Sequence, residues 1–280
     1  MSISKFLPEL FDAQKGIILI AGRGIYPKIV AKNARQAGVK VNLIALEDET
    51  EADLFNSFAE SERVKINIGQ LGALLKNAKK FMSPYAIMAG QVRPKRLFDG
   101  LKPDLKAMLI LATLKEKNAE SIFGAIAKEL SKIGVELVDA RSFMDNDLAT
   151  SGFMNCKKWN ISQNTFEHGL KIVRECARLN IGQACVVANG TTLAVEGFDG
   201  TDNMIERCAQ FKAKEMLFLK TVKANQDYRF DVPVIGERTL LKLSEAGIQN
   251  VAVESEKVLM LNKESLLQYA NSLNIKIFGI

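Results

Sequence analysis

The chain has 280 residues, 48% hydrophobic and 25% charged, with 38 Lys and Arg against 32 Asp and Glu. That is apolar mass for one large domain or two modest ones, and a formal charge of +6 is too small and too scattered for a nucleic-acid footprint. One Trp and four Tyr beside fifteen Phe leave few stacking platforms for single-stranded nucleic acid, so the composition argues against that partner.

Glu9 and Asp12 interrupt the apolar core that an export signal needs, and no stretch reaches the length of a membrane span. The longest apolar runs, such as 107–112, are the size of core elements. Cys156, Cys176, Cys185 and Cys208 form no C-x-x-C pair, which suits reduced thiols in a cytoplasm. The one histidine, His168, sits in a helical pattern and gives little support to a catalytic triad or a His-ligated metal.

In chain order, Ile17–Ala21 reads as a buried strand and Pro27–Gln36 as a helix stopped by Gly38. Strands follow at Val39–Leu46, Val64–Ile68 and Tyr85–Ala89, with a helix at Leu71–Ala78. Helices at Asp104–Lys115 and Ala119–Ile133 precede a strand at Val135–Val138. Strand and helix alternating at this spacing make a right-handed parallel sheet. Beyond a polar stretch, Asp145–Gln163, comes a helix over Thr165–Leu179. Asn189-Gly190 then marks a hairpin between Gln183–Ala188 and Thr191–Glu196. Further strands are expected at Glu215–Lys220, Val232–Ile235, Asn250–Val253 and Val258–Leu261. The expected fold is α/β: a Rossmann-like, nucleotide- and substrate-binding domain over 1–138 and a mixed α/β catalytic domain over 139–280.

The loop Gly22-Arg23-Gly24 follows the first strand and opens a helix, where a backbone stripped of side chains and a helix amino terminus favour a phosphate. Pro27 stands where a dinucleotide fingerprint has its third glycine. Glu47 and Asp48 close the second strand, the usual place for an acid on ribose hydroxyls. Gln70 and Gln91 close the next two strands and either contact a sugar or base or cap the segments that follow. Later, Glu196, Asp199 and Asp202 fall within seven residues; Gly200 frees the turn and Thr201 caps the next helix, both candidate substrate contacts. In the run from Lys220 through Lys223 to Pro233, an extended chain puts Asp227, Arg229 and Asp231 on one face. Carboxylates for Mg²⁺ beside Lys and Arg for phosphate oxygens are the parts of phosphoryl hydrolysis.

These residues resemble the metal-dependent, non-calcineurin family of UDP-2,3-diacylglucosamine pyrophosphatases of lipid A biosynthesis. The resemblance runs from Ile18-Leu-Ile-Ala-Gly-Arg-Gly-Ile-Tyr-Pro27 through Asn180-Ile-Gly-Gln-Ala184, Leu193-Ala-Val-Glu196 and Asp199-Gly-Thr-Asp202 to Gln226-Asp-Tyr-Arg-Phe-Asp-Val-Pro233 and Ile235-Gly236. It implies Mg²⁺-dependent hydrolysis of UDP-2,3-diacylglucosamine to UMP and 2,3-diacylglucosamine 1-phosphate, with the family's essential aspartate at Asp227. Asn180 and Asp199 stand where the family usually has Asp and Glu, and Asn180 is not counted as a ligand. On this resemblance Asp227, with Asp202 as the further candidate, holds Mg²⁺, and Lys223 and Arg229 stabilise the developing charge. Asp231 either fixes Arg229 or acts as base, and the uridine diphosphate lies along Arg23 and Gly24. A lipid substrate of the inner leaflet implies a cytoplasmic protein in transient contact with that membrane. Homo-oligomerisation stays open. Two rival readings are a dinucleotide-binding oxidoreductase, resting on Gly22–Gly24, and a non-catalytic nucleotide-sugar-binding protein.

Overall fold

The structure, a computed structural model, describes residues 3–92, 103–116, 118–211 and 213–280. Its residues gather in two compact units, one of Met1–Asp145 with Asp227–Asp231, the other of Asn146–Gln226 with Val232–Ile280.

The first unit is a five-stranded sheet of β1 (Ile17–Ala21), β2 (Val41–Leu46), β3 (Arg63–Ile66), β4 (Tyr85–Ala89) and β5 (Glu136–Leu137). The order is β3-β2-β1-β4-β5 and every pairing is parallel, a Rossmann-like arrangement whose direction of winding reverses between β1 and β4. All five residues of β1 are buried, as a strand covered on both faces requires. Ile18, Ile20 and Ile44 face a core shared with Leu71, Leu74, Leu75 and Ala78 of α3 (Leu71–Phe81). That i, i+3, i+4, i+7 spacing is the apolar stripe of an amphipathic helix. The same core takes Ala107 of α4 (Leu105–Thr113) and Ala127 and Leu130 of α5 (Ala119–Lys132). Helix α1 (Tyr26–Gln36) lies against β1, β2 and β4. A short helix, α2 (Ala52–Asn56), follows β2 and has no counterpart in the sequence reading.

The run 107–112 lies in α4, which is too short to cross a membrane, as its length implied; Ala107 is buried and Ile110 packs partly against the core. One expectation changes here. Residues 139–145 pack with the first unit, through the Tyr26 hydroxyl on the Ala140 carbonyl (2.5 Å) and Asn33 Nδ2 on the Phe143 carbonyl (2.7 Å).

The second unit has a six-stranded mixed sheet, ordered β6-β13-β11-β9-β7-β8. Its strands are β6 (Gly152–Phe153), β7 (Ala184–Ala188), β8 (Thr191–Val195), β9 (Leu217–Lys220), β11 (Asn250–Val253) and β13 (Lys276–Gly279). A separate parallel pair joins β10 (Val234–Ile235) to β12 (Leu259–Met260). Strands β9, β11 and β13 run parallel, while β7, β8 and β6 pair antiparallel at the edges. Asn189 and Gly190 both have positive φ, the turn that joins β7 to β8 without splaying them. Alternation splits the core: Phe218 and Val186 face one cluster, Leu217, Leu219, Cys185 and Val187 the other. Helix α6 (Gln163–Arg178) covers the second face. On the first lie α7 (Gly200–Cys208), α8 (Glu237–Glu245) and α9 (Lys263–Ser272), through Met204, Leu240 and Leu266. The four cysteines are free thiols. His168 donates to or accepts from Thr192 Oγ1 at 2.9 Å, a structural contact.

Candidate functional site

At the reversal of the first sheet, the ends of β1 and β4 are joined. Gly22 N–H donates to the Ala89 carbonyl, and Arg23 and Gln91 exchange backbone hydrogen bonds of 2.8 and 3.1 Å. A Cβ on Gly22 would meet the Gln91 carbonyl oxygen at 2.5 Å, so Gly22 serves this backbone contact. Gly90 is its counterpart, at φ +95, where a Cβ would meet Arg23 O at 2.7 Å and Pro27 Cγ at 2.8 Å. Pro27 therefore stands where the fingerprint glycine is missing because Gly90, on the neighbouring strand, supplies the room. Gly24, at φ +93, faces open space.

The other first-unit candidates have structural partners. Arg23 Nε lies 3.8 Å from buried Glu49. Glu47 pairs with Lys65 at 3.6 Å, and the Thr50 hydroxyl ties the β2 end to the Ala21 carbonyl at 2.6 Å. Gln70 Oε1 accepts from Asn67 N–H at 3.1 Å, a bond back into the preceding turn; the Gln70 side chain does not cap α3, contrary to the capping alternative.

The acidic motif is not extended. Phe230 and Asp231 N–H donate back to the Asp227 carbonyl at 3.3 and 3.0 Å, making one turn of helix. Side chains of that turn dock on the first unit. Ala140 N–H donates to the Tyr228 carbonyl at 2.8 Å, and Phe230 stacks on Phe123 at 5.7 Å. The Arg141 guanidinium lies over the Tyr228 ring and is held by Asp139 through Nε (3.1 Å) and Nη2 (2.7 Å). Because Tyr26, at the head of α1, bonds the Ala140 carbonyl while Ala140 N–H bonds the Tyr228 carbonyl, the backbone of one residue ties the glycine loop's helix to the Asp227 turn.

Within the turn, Arg229 grips Asp227 at two points, Nε to Oδ1 at 2.9 Å and Nη2 to Oδ2 at 2.6 Å. The guanidinium holds the Asp227 carboxyl below the usual carboxylate range, against the opposing effect of partial burial. Asp227 in turn raises Arg229 above its ordinary value. Arg229 is 46% exposed, and Asp227 uses two of its five N–H donors.

The second unit assembles a different cluster. Lys223 N–H donates to Gln226 Oε1 at 3.0 Å, closing the turn before the motif. Asp202 pairs with Arg238 at 2.7 Å and Asp199 with Arg207. Gly200 has φ +81 with open space at its Cβ position. Thr201 does not cap α7, whose N-cap position is Asp199; it lies in the helix's first turn, and its hydroxyl donates to Glu196 and accepts from buried Lys220 Nζ at 3.2 Å. Glu196 also accepts from Gln183 N–H at 2.9 Å. Beside Lys220, Glu254 accepts from the Thr221 hydroxyl, Val222 N–H and Lys257. Burial pushes Glu254 up, but those bonds outweigh it and its pKa ends lowered. Sequence reasoning named Glu196 and Lys220 but not this chain of bonds. It missed Arg141 and Asp139 altogether, for which the only signal is an Asp-x-Arg just past a strand.

Among the described residues no three His, Cys, Asp or Glu side chains come together as a ligand group. Asp227 and Asp202 each carry an arginine instead. Mg²⁺ is commonly held by one or two carboxylates together with substrate phosphates and waters. The donor chemistry of Asp227 therefore fits a Mg²⁺ brought with a diphosphate, not one caged by protein.

The LpxI N-terminal domain family matches residues 16–146 and the LpxI C-terminal domain family residues 150–278. The chain is similar to "UDP-2,3-diacylglucosamine pyrophosphatase LpxI" of Caulobacter vibrioides, 27% identical over 275 residues that cover 94% of this chain and 96% of the relative. With the Gly22 loop, the Asp227 turn and the Thr201 cluster all inside the matched ranges, this chain belongs to the LpxI family.

Proposed function

We propose that the protein is a UDP-2,3-diacylglucosamine pyrophosphatase of lipid A biosynthesis, releasing UMP and 2,3-diacylglucosamine 1-phosphate in a Mg²⁺-dependent hydrolysis. The observation that carries the proposal is the likeness to the Caulobacter pyrophosphatase along nearly all of both chains. The Asp227–Arg229 pair supplies chemistry to match.

Water attacks one phosphorus of the diphosphate, the bond to the bridging oxygen breaks, and its electron pair leaves with the other phosphate. Asp227 together with the diphosphate oxygens would hold the Mg²⁺, which would supply charge to polarise the phosphate and ease deprotonation of water. Asp227, its pKa held low by Arg229, is a carboxylate throughout the neutral range and suits holding the cation rather than taking a proton. That leaves the base role to Asp231. The remaining N–H groups of Arg229 meet the charge that develops on the phosphate oxygens. Gly24 offers the uridine diphosphate an unobstructed stretch of backbone, with Arg23 and Gln91 on the paired strand ends and Gln70 as a further candidate of the same unit.

The test is phosphorus-detected turnover of UDP-2,3-diacylglucosamine with Mg²⁺ and with excess EDTA. Conversion to UMP and a sugar phosphate, abolished by EDTA and restored by Mg²⁺, is the expected result. No conversion at any divalent cation concentration would overturn the proposal.

A further inference from the structure

Tyr26, just beyond the glycine loop, is 7% exposed, and its hydroxyl donates to the Ala140 carbonyl at 2.5 Å. A buried tyrosine hydroxyl needs an acceptor, and many such bonds serve packing alone. This one closes on a segment with a second task. Past β5 the chain continues through Val138, whose N–H donates to the Ala86 carbonyl at 3.0 Å. Residues 139–141 therefore lie just beyond the carboxyl end of the sheet's edge strand. In an open parallel sheet that is the edge where ligands bind.

Two rigid peptide planes carry the contact onward. The first joins Ala140 to Arg141. Tyr26 holds its carbonyl, and its N–H donates to Asp139 Oδ1 at 2.8 Å. The same carboxylate grips the Arg141 guanidinium, which lies over the Tyr228 ring. The second plane joins Tyr228 to Arg229. Its carbonyl accepts from Ala140 N–H at 2.8 Å, and its N–H donates to Asp227 Oδ1 at 3.2 Å. That oxygen also accepts from Arg229 Nε. The Asp227 carboxylate is thus aimed by a peptide whose other side rests on Ala140, and Tyr26 holds Ala140.

We propose that Tyr26 is a positioning residue for the diphosphate hydrolysis: through the Ala140 backbone, its hydroxyl keeps the Asp227–Arg229 pair in the orientation the reaction uses. It touches neither substrate nor cation. The inference deepens the function proposed above and rests on it. Asn33, on the same helix, supplies the contrast. Its Nδ2 holds the Phe143 carbonyl of the same segment at 2.7 Å, but Phe143's other partners are Ser4 and Phe11, near the start of the chain rather than in the Asp227 turn.

The experiment is steady-state kinetics on UDP-2,3-diacylglucosamine with Mg²⁺, beside calorimetry with UMP, each variant assayed below the onset of its thermal melt. Tyr26→Phe fills the same volume without the hydroxyl. Its kcat is expected to fall about 10- to 100-fold, with KM and UMP affinity within about twofold of wild type. Asp139→Asn slackens the Arg141 clamp from its other end and should also lower kcat at unchanged UMP affinity. Asn33→Ala removes a comparable bond between the same helix and segment and should leave kcat within about twofold. A wild-type kcat in Asp139→Asn overturns the inference whether or not Tyr26→Phe folds, and so does a wild-type kcat in Tyr26→Phe. An equal loss in Asn33→Ala overturns it as well, reducing the effect to a loosened segment. Raised KM and weakened UMP binding at constant kcat would confine Tyr26 to supporting the glycine loop, with the same consequence. Wild-type protein that turns over no substrate overturns the proposed function and this role with it, whereas an active wild type with an equally active Tyr26→Phe overturns the positioning role alone.

Discussion

The Arg141 guanidinium carbon lies 3.4 Å from the centre of the Tyr228 ring, with Asp139 gripping the same guanidinium from the side. This stack, together with Phe230 on Phe123, fixes the turn that presents Asp227. Arg141→Ala is expected to cost about 1–2 kcal/mol, as the loss of a largely desolvated cation–π contact. Tyr228→Ala should lower the melting temperature and the hydrolysis rate together, whereas Tyr228→Phe keeps the ring and most of both. Thermal melts beside turnover rates separate these outcomes.

The Asp227–Arg229 pair predicts a specific pH response. The folded-state pKa of Asp227 lies below its unfolded value, so the pair stabilises the fold above about pH 4. That contribution is lost as pH falls through the folded value. In Arg229→Gln the carboxyl loses the group that lowers it, so the acid limb of the pH–rate profile should move to higher pH. Asp227→Asn keeps the shape without the charge; turnover should fall by about 10³-fold with circular dichroism unchanged. An acid limb at the same pH in Arg229→Gln would remove Asp227 as its source.

The two glycines of the first loop should behave differently. Gly22→Ala puts a Cβ 2.5 Å from a backbone oxygen and pushes the β1 and β4 ends apart. A loss of about 2–3 kcal/mol is expected in urea melts. Gly24→Ala meets no neighbour and pays only for its positive φ, about 1 kcal/mol. If the uridine diphosphate follows this loop, Gly24→Ala should weaken UMP binding in calorimetry well beyond its small effect on stability.

Thr201 relays between buried Lys220 and Glu196. Thr201→Val would leave both without that partner and should destabilise by about 1–3 kcal/mol. Thr201→Ser, which keeps the hydroxyl, should remain near wild type in the same denaturant titration.

The Rossmann-like half was legible because each strand is a continuous buried run, such as Ile17–Ala21, and α3 carries its core stripe without interruption. β6 was not: two residues, Gly152 and Phe153, have no periodicity to read and acquire strand geometry only by pairing with β13. The Asp227 segment looked extended because polar and aromatic residues alternate before Pro233. In fact that alternation separates docking rings from a charged pair on a helical turn. Which side of α4 meets the core was not legible, because hydrophobicity says nothing about which side of a helix finds a neighbour. Ala140 was invisible for a different reason: it acts through its backbone N–H and carbonyl, so no side-chain pattern could announce it.

Because Asp227–Asp231 folds onto the half of the chain that precedes it, the polypeptide is braided: it leaves the first unit after Asp145, returns for five residues, and departs again. A gene cut at the obvious seam would yield a leading fragment whose Arg141 and Phe123 lack their aromatic mates, and a trailing fragment carrying the motif with nothing to seat it.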